Sequence, residues 1–220
     1  MGFDPLKFWE HLIHHPPERQ LFTYETVGST NTVLHEHLEK GATPGAVVIA
    51  AQQTAGRGQR SRSWVSPIGG LYMSVAIAPN LPASQTARLT MASAWGIAAG
   101  LRRHQVPVRL KWPNDLYLDQ KKLGGILTET SVQGSQVYRA IVGIGLNWRN
   151  APPPNGIALS HPSVTLNPPL TSLETLAALV MDGVTAGQRS LMDQGLTAIR
   201  HDYHQWLYQP LPAHMSWDSL

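Results

Sequence analysis

Residues 108–147 read VRLKWPNDLYLDQKKLGGILTETSVQGSQVYRAIVGIGLN, and the placing of the turns in this stretch decides the fold. Short apolar or alternating runs over 108–112, 116–118, 125–131 and 137–146 have the pattern of strands. Between them, Pro113-Asn114-Asp115, Asp119-Gln120-Lys121 and Gln133-Gly134-Ser135 supply the residue types that reverse a chain within a few positions. This is hairpin chemistry, and it predicts neighbouring strands that run antiparallel.

Outward from this core, Val47-Val48-Ile49-Ala50-Ala51 within 45–53 is the apolar run of a buried strand. Residues 71–78 form another strand, and 20–27 alternate weakly as a third. Asp4-Pro5 reads as an N-cap with proline at the first helical position. Leu6, Trp9, Leu12 and Ile13 follow at helical spacing until Pro16-Pro17 stops the helix. A second helix is predicted from the Gly28-Ser29-Thr30-Asn31 turn to about Glu39. A long apolar one spans 83–104, with Leu89, Met91, Ala94, Trp95 and Ile97 available to the core, and two more cover 173–192 and 196–207. Residues 150–170, rich in proline and asparagine, read as a surface loop. The predicted class is α+β, a mixed, largely antiparallel sheet flanked by helices. The predicted organisation is an N-terminal helical extension over 1–19, one body over 20–207 and a short tail over 208–220. No internal repeat is visible.

With 220 residues, 42% of them hydrophobic and 14% charged, the chain can bury one sizeable core. It has no cysteine, which excludes disulfides and thiolate chemistry. A net charge of +3 is small for a nucleic-acid binder, yet Arg57, Arg60 and Arg62 share one loop, and Lys111, Lys121 and Lys122 lie close together in sequence. Local positive charge in a near-neutral chain points to a small anionic ligand. No apolar run approaches the length of about 18 residues that spans a bilayer, and the first residues lack a signal-peptide pattern. A cytoplasmic protein without a membrane partner is expected.

Five motifs offer chemistry, and each has a plain structural alternative. Gly56-Arg57-Gly58 lets backbone approach an anion, with Arg57 adding a forked hydrogen bond and Trp64 a flat apolar face; the alternative is a solvated turn. Lys111-Trp112-Pro113-Asn114-Asp115 sets a cation, an amide and a carboxylate at one rim, suited to a triphosphate and its Mg²⁺, or is only a polar turn. Lys122-Leu123-Gly124-Gly125 places a charge beside open backbone, or marks a β-bulge. Gly143-Ile144-Gly145-Leu146-Asn147 opens one face of a strand. Ser29-Thr30-Asn31 brings hydroxyls and an amide to a helix start, or simply caps it. Together they describe what a site for a carboxylic acid beside a nucleotide requires.

These blocks, with Gln53-Thr54-Ala55 before the Gly/Arg loop and Ile126-Leu127 after Gly125, resemble the ordered motif set of biotin protein ligases over residues 28–147. The resemblance implies a catalytic domain related to class II aminoacyl-tRNA synthetases. It implies two half-reactions, in which biotin and MgATP give biotinyl-5′-adenylate and a lysine of the biotin carboxyl carrier protein of acetyl-CoA carboxylase then takes the acyl group. It assigns catalysis to Lys122 and Arg57. Ser29, Thr30, Asn31, Gln53, Gly56, Gly58, Gly125, Gly143 and Gly145, with those two, would bind biotin. Trp64, Lys111, Asn114, Asp115 and Asn147 would serve the nucleotide, with Asp115 also on Mg²⁺. The Gly/Arg loop is expected to become ordered when ligand arrives.

The sequence departs from the family pattern in three respects. Gln59 stands where arginine is usual, so either Arg60 substitutes or the adenylate is held less tightly. The chain before the motifs leaves no room for a helix-turn-helix domain, so no DNA partner is expected. The usual β-rich C-terminal domain would be absent or truncated. A lipoate or octanoate ligase of the same fold and a weak biotin-adenylate-binding regulator are the alternatives. Exposed strand edges would allow a homodimer.

Overall fold

The hairpins of the 108–147 stretch form as their turns dictate. In the computed structural model, β5 (Arg109–Lys111), β6 (Asp115–Leu118), β7 (Lys121–Gln133) and β8 (Gln136–Leu146) pair in succession, each antiparallel to the next. Two further antiparallel strands, β3 (Leu71–Ile77) on β8 and β2 (Val47–Gln53) on β3, extend the sheet. The outer strand β1 (Leu21–Val27) runs parallel to β2. That parallel pair needs a crossover, and α2 (Thr30–Glu39) supplies it. A two-residue strand, β4 (Leu81–Pro82), completes an eight-stranded mixed sheet by pairing with the start of β8.

The described residues are 2–18, 20–213 and 215–217. The ends of the expected extension and tail, at 1, 19, 214 and 218–220, lie outside them.

Period-two alternation explains the layering. Val47 and Ile49 join one apolar cluster with Met73, Val75, Val142 and Ile144, while Val48 turns to the other face with Ala76 and Ile141. The first face is covered by α1 (Pro5–His11), α3 (Thr86–Arg103), α4 (Leu173–Gln194) and α5 (Thr197–Gln205). The second, among the described residues, is covered by α2, through Leu34 and Leu38. Helices α3 and α4 touch backbone to backbone. A Cβ on Gly96 would run into the carbonyl of Gly183, and one on Gly187 into that of Ala92.

The chain ends are tied to this core. Glu174 in α4 accepts from the Asp4 N–H at 2.9 Å, and Asp182 accepts from the Ile13 and His14 N–H groups at 3.0 and 2.8 Å. After α5, Leu207 makes a parallel bridge to Leu110, and the Tyr208 ring stacks on Tyr117 at 4.5 Å. The start of the expected tail is therefore stitched to the β5 edge. The one substantial boundary difference is β7, which begins at Lys121 where the expected strand began at Gly125. Lys122-Leu123-Gly124-Gly125 is thus strand, and it carries the irregularity expected there: Leu116 pairs with Gly124 and Tyr117 with Lys122, so Leu123 is the extra residue of a bulge. Gly124 fits because a side chain would meet the Gly145 carbonyl and Leu146.

Candidate functional site

A cavity of about 110 Å³ opens where the end of β2, the start of α2, the middle of β7 and the end of β8 converge under the Gly/Arg loop. The loop is paired with itself. Trp64 N–H donates to the Gly56 carbonyl at 2.9 Å, and Gly58 N–H to the Arg62 carbonyl at 2.7 Å. Gly56 is needed for close approach, since a Cβ there would press on the Trp64 carbonyl and the Ser66 hydroxyl. Left-handed backbone occurs in this loop at Arg60 (φ 55°) and Ser61 (φ 59°), where the loop turns over. The Gly58 N–H is committed to the loop and is not turned towards a ligand.

The start of α2 forms one wall. Ser29 stands at the N-cap, but its side chain makes no capping hydrogen bond, and it lines the cavity at 6% exposure. Its neighbours are already engaged. Thr30 N–H donates to Gln53 Oε1 at 2.9 Å, and Gln53 Nε2 donates to Ser66 Oγ at 2.8 Å. The Ser74 hydroxyl lies 2.6 Å from Asn31 Oδ1 and 2.8 Å from Thr30 Oγ1. Asn31 Nδ2 donates to Glu129 Oε2 at 2.6 Å. Gly143 makes room for this amide, because a side chain there would collide with Asn31.

The charged wall comes from β6 and β7. Lys122 Nζ is 2.7 Å from Asp115 Oδ1, and both side chains are largely buried, at 27% and 18% exposure. The approach lies off the hydrogen-bonding direction, since Asp115 Oδ1 has no hydrogen-bond donor, so the contact is an ion pair. Gly125 lies against both groups, its missing Cβ leaving 3.2 Å to Asp115 Oδ1 and 3.6 Å to Lys122 Nζ. The Lys122 ammonium also sits 5.3 Å from the centre of the Trp64 ring. That indole lies against Gly145, where a Cβ would strike it, and its Nε1 is buried without a partner among the described residues. The 110 Å³, with Trp64 in the lining, is small against the usual 300–1,000 Å³ of a ligand pocket.

The turn before β6 is held from both sides. Asn114 Nδ2 donates to the Ile126 carbonyl at 3.1 Å, and the buried Tyr203 hydroxyl donates to the Pro113 carbonyl at 3.3 Å. Burial, with the nearby Asp115 charge, pushes the Tyr203 hydroxyl well above its ordinary pKa, so it remains a donor.

The cavity thus gathers Ser29, Thr30, Asn31, Gln53, Arg57, Gly58, Trp64, Asn114, Asp115, Lys122, Gly125, Gly143 and Gly145 from the expected set. It does not take in Gly56, Lys111 or Asn147. Lys111 lies over the Tyr117 ring at 5.4 Å. Asn147, 2% exposed, spends its amide on the Lys122 carbonyl and on Asn150. Arg62, rather than Arg60, lines the cavity beside Gln59. Glu129, Ser66 and Ser74 also join the polar network of the site, and none of them lies in the sequence motifs. The available signal was a carboxylate at Glu129, on the same strand face as Leu127 and Gly125, inside an otherwise apolar run. No cluster of three or more His, Asp or Glu that could hold a metal ion occurs among the described residues, so Asp115 alone is no metal cage. Among the described residues, no helix is long and apolar enough to cross a membrane.

Comparison with known proteins extends these observations. The model of the biotin/lipoate A/B protein ligase family matches residues 23–147. The bifunctional ligase/repressor BirA of Bacillus subtilis is 36% identical over 145 residues, covering 65% of this chain and 42% of that protein. The biotin–[acetyl-CoA-carboxylase] ligase of Paracoccus denitrificans is 39% identical over 121 residues, covering 52% of this chain and 49% of that protein. The chain therefore spans less than half the length of these relatives. Among solved structures, the biotin protein ligase of Aquifex aeolicus in complex with biotin and ATP superposes with a TM-score of 0.69 at 24% identity, covering 87% of this chain and 79% of that one. The fold is the same in both.

Proposed function

The chain belongs to the biotin/lipoate A/B protein ligase family, and from that membership we propose that it activates biotin with MgATP as biotinyl-5′-adenylate and transfers it to a lysine of a biotin carboxyl carrier protein. In the first step a biotin carboxylate oxygen attacks the α-phosphorus and pyrophosphate leaves. In the second, a neutral lysine amine attacks the acyl carbon, AMP leaves, and the amine proton passes to solvent.

The observation that carries this reading is the largely buried Lys122 ammonium, which faces the cavity paired with the Asp115 carboxylate. Joining a carboxylate to a phosphate brings two anions together, and a fixed cation lowers that barrier most where water is excluded. Ser29 supplies the complementary polar end, a hydroxyl not used in capping. Thr30 and Gln53 beside it would bind the ureido ring by exchanging partners they now hold in each other. Arg57 and Arg62 are suited to the adenylate phosphate. Asn114 and Asp115 would face the triphosphate, and Mg²⁺ would arrive on its oxygens as part of the substrate. Lys111, which lies over the Tyr117 ring outside the cavity, would meet the outer phosphates. Asn147 would act at one remove, by holding the strand that carries Lys122.

The family description covers lipoate as well as biotin. The cluster of hydroxyl and amide groups favours biotin, since a plain acyl chain would leave such groups unpaired. The relatives named for biotin and the Aquifex structure holding biotin and ATP support the same choice. Incorporation of labelled biotin into a purified carrier domain, dependent on ATP, is the test. A stabilising thermal shift with lipoate and none with biotin would overturn the substrate. Adenylate formation without transfer would favour a regulator.

A further inference from the structure

We infer that Glu129 is a positioning residue that ties the Gly/Arg loop to the floor of the ring-binding end of the cavity. The inference rests on the function proposed above. One carboxylate oxygen, Oε2, receives two donors from different segments, Arg57 Nη2 at 2.9 Å and Asn31 Nδ2 at 2.6 Å. Arg57 belongs to the loop, Asn31 to the first turn of α2, and Glu129 to β7, so three elements meet at one atom. Asn31 is 3% exposed, and its Oδ1 is met by Ser74 Oγ. From there the contacts run through Thr30 and Gln53 to Ser66, whose hydroxyl donates to the Trp64 carbonyl at 3.0 Å. Both ends of the loop, Arg57 and Trp64, are therefore fastened to one polar network beneath the cavity.

The geometry leaves Arg57 available for work. Glu129 takes only Nη2, which also lies 3.4 Å from Thr32 Oγ1. The other edge of the guanidinium has no partner among the described residues. A guanidinium held through one nitrogen keeps the donors on its other two nitrogens for an anion. Glu129 thereby aims Arg57 while leaving it free to meet an anion. Because Glu129 also fixes the Asn31 amide, a ligand that rearranges Thr30, Asn31 and Gln53 shifts the same carboxylate. Occupancy of the ring-binding end and placement of the loop are linked through it.

The Arg57 and Glu129 side chains are half-exposed, at 46% and 37%, so Glu129→Gln removes a charge without opening the core. Three measurements test the role. In the ligand-free protein, tryptic cleavage after Arg57, Arg60 or Arg62 is expected to rise about three- to ten-fold in Glu129→Gln, the scale of one charge-assisted contact. Biotin-dependent exchange of pyrophosphate into ATP is expected to lose a similar factor in kcat/KM for ATP, with the thermal midpoint unchanged. The charge-reversed double variant Arg57→Glu/Glu129→Arg is expected to restore resistance to trypsin after Arg60 and Arg62 but not the exchange. Wild-type loop cleavage and wild-type exchange in Glu129→Gln would overturn the inference. Absence of exchange in the wild type would instead overturn the proposed function, and the cleavage comparison would still judge the role of Glu129.

Discussion

Lys122 and Ser29 make opposite demands on a substitution. Lys122→Ala removes the cation from a largely buried ion pair and leaves Asp115 as an uncompensated charge. Adenylate formation, read as pyrophosphate release, should fall by about 10²–10³, the usual cost of one electrostatic group at a reacting centre; near-normal release would remove Lys122 from the mechanism. Ser29→Ala should behave differently from ordinary cap removal, which costs about 1 kcal/mol of stability. The Ser29 side chain makes no cap bond, so the thermal midpoint should hold while biotin affinity weakens by about one neutral hydrogen bond, or 0.5–1.5 kcal/mol. Calorimetric titration and a melting curve on the same sample separate the two. A lowered midpoint with unchanged affinity would show that Ser29 serves the helix alone.

Among the elements, the α3/α4 contact and the Gly/Arg loop are extremes of packing. Gly96 faces the Gly183 carbonyl with no room for a methyl group, and the adjacent atoms are backbone that cannot swing away. Gly96→Ala should destabilise by about 1–3 kcal/mol through overpacking, although alanine is the better helix former. A fall in the urea midpoint at constant slope would be the signature. The loop is held by polar contacts at its two ends, with Val65 at 57% exposure immediately after it. Such a segment opens at low free energy. Saturating biotin with ATP should protect residues 55–64 from proteolysis, and unchanged cleavage across the titration would count against closure. The motif types were legible here because glycine, lysine and turn residues act locally. Where each side chain pointed was not legible. Gly58 looked like an anion donor and is instead bonded to Arg62, and Asn147 looked like a ligand contact and is instead buried behind Lys122.

For the whole molecule, acid sensitivity should start at the N-terminal strap. Burial raises the pKa of Glu174, but the Asp4 N–H, its own backbone N–H, the Ser172 hydroxyl and the Lys7 charge outweigh it, so the net shift is downward. A depressed folded-state value means stability that is present above the unfolded carboxylate pKa of about 4.3 and lost as the pH falls through the lower folded value. Unfolding midpoints of wild type and Glu174→Gln should therefore differ at pH 6 and converge towards pH 3; parallel profiles would refute the assignment. By itself the sequence determined the order of helices and strands, the hairpins of residues 108–147 and the types of group at the site. Each of these follows from side-chain periodicity and turn chemistry within a few residues. Only the tertiary structure decided that β1 lies parallel to β2, that Trp64 covers Gly145, and that one Glu129 oxygen joins Arg57, 72 residues away, to Asn31, 98 residues away. Partners so distant are selected by packing across the sheet, and no local pattern records which of many polar side chains will meet.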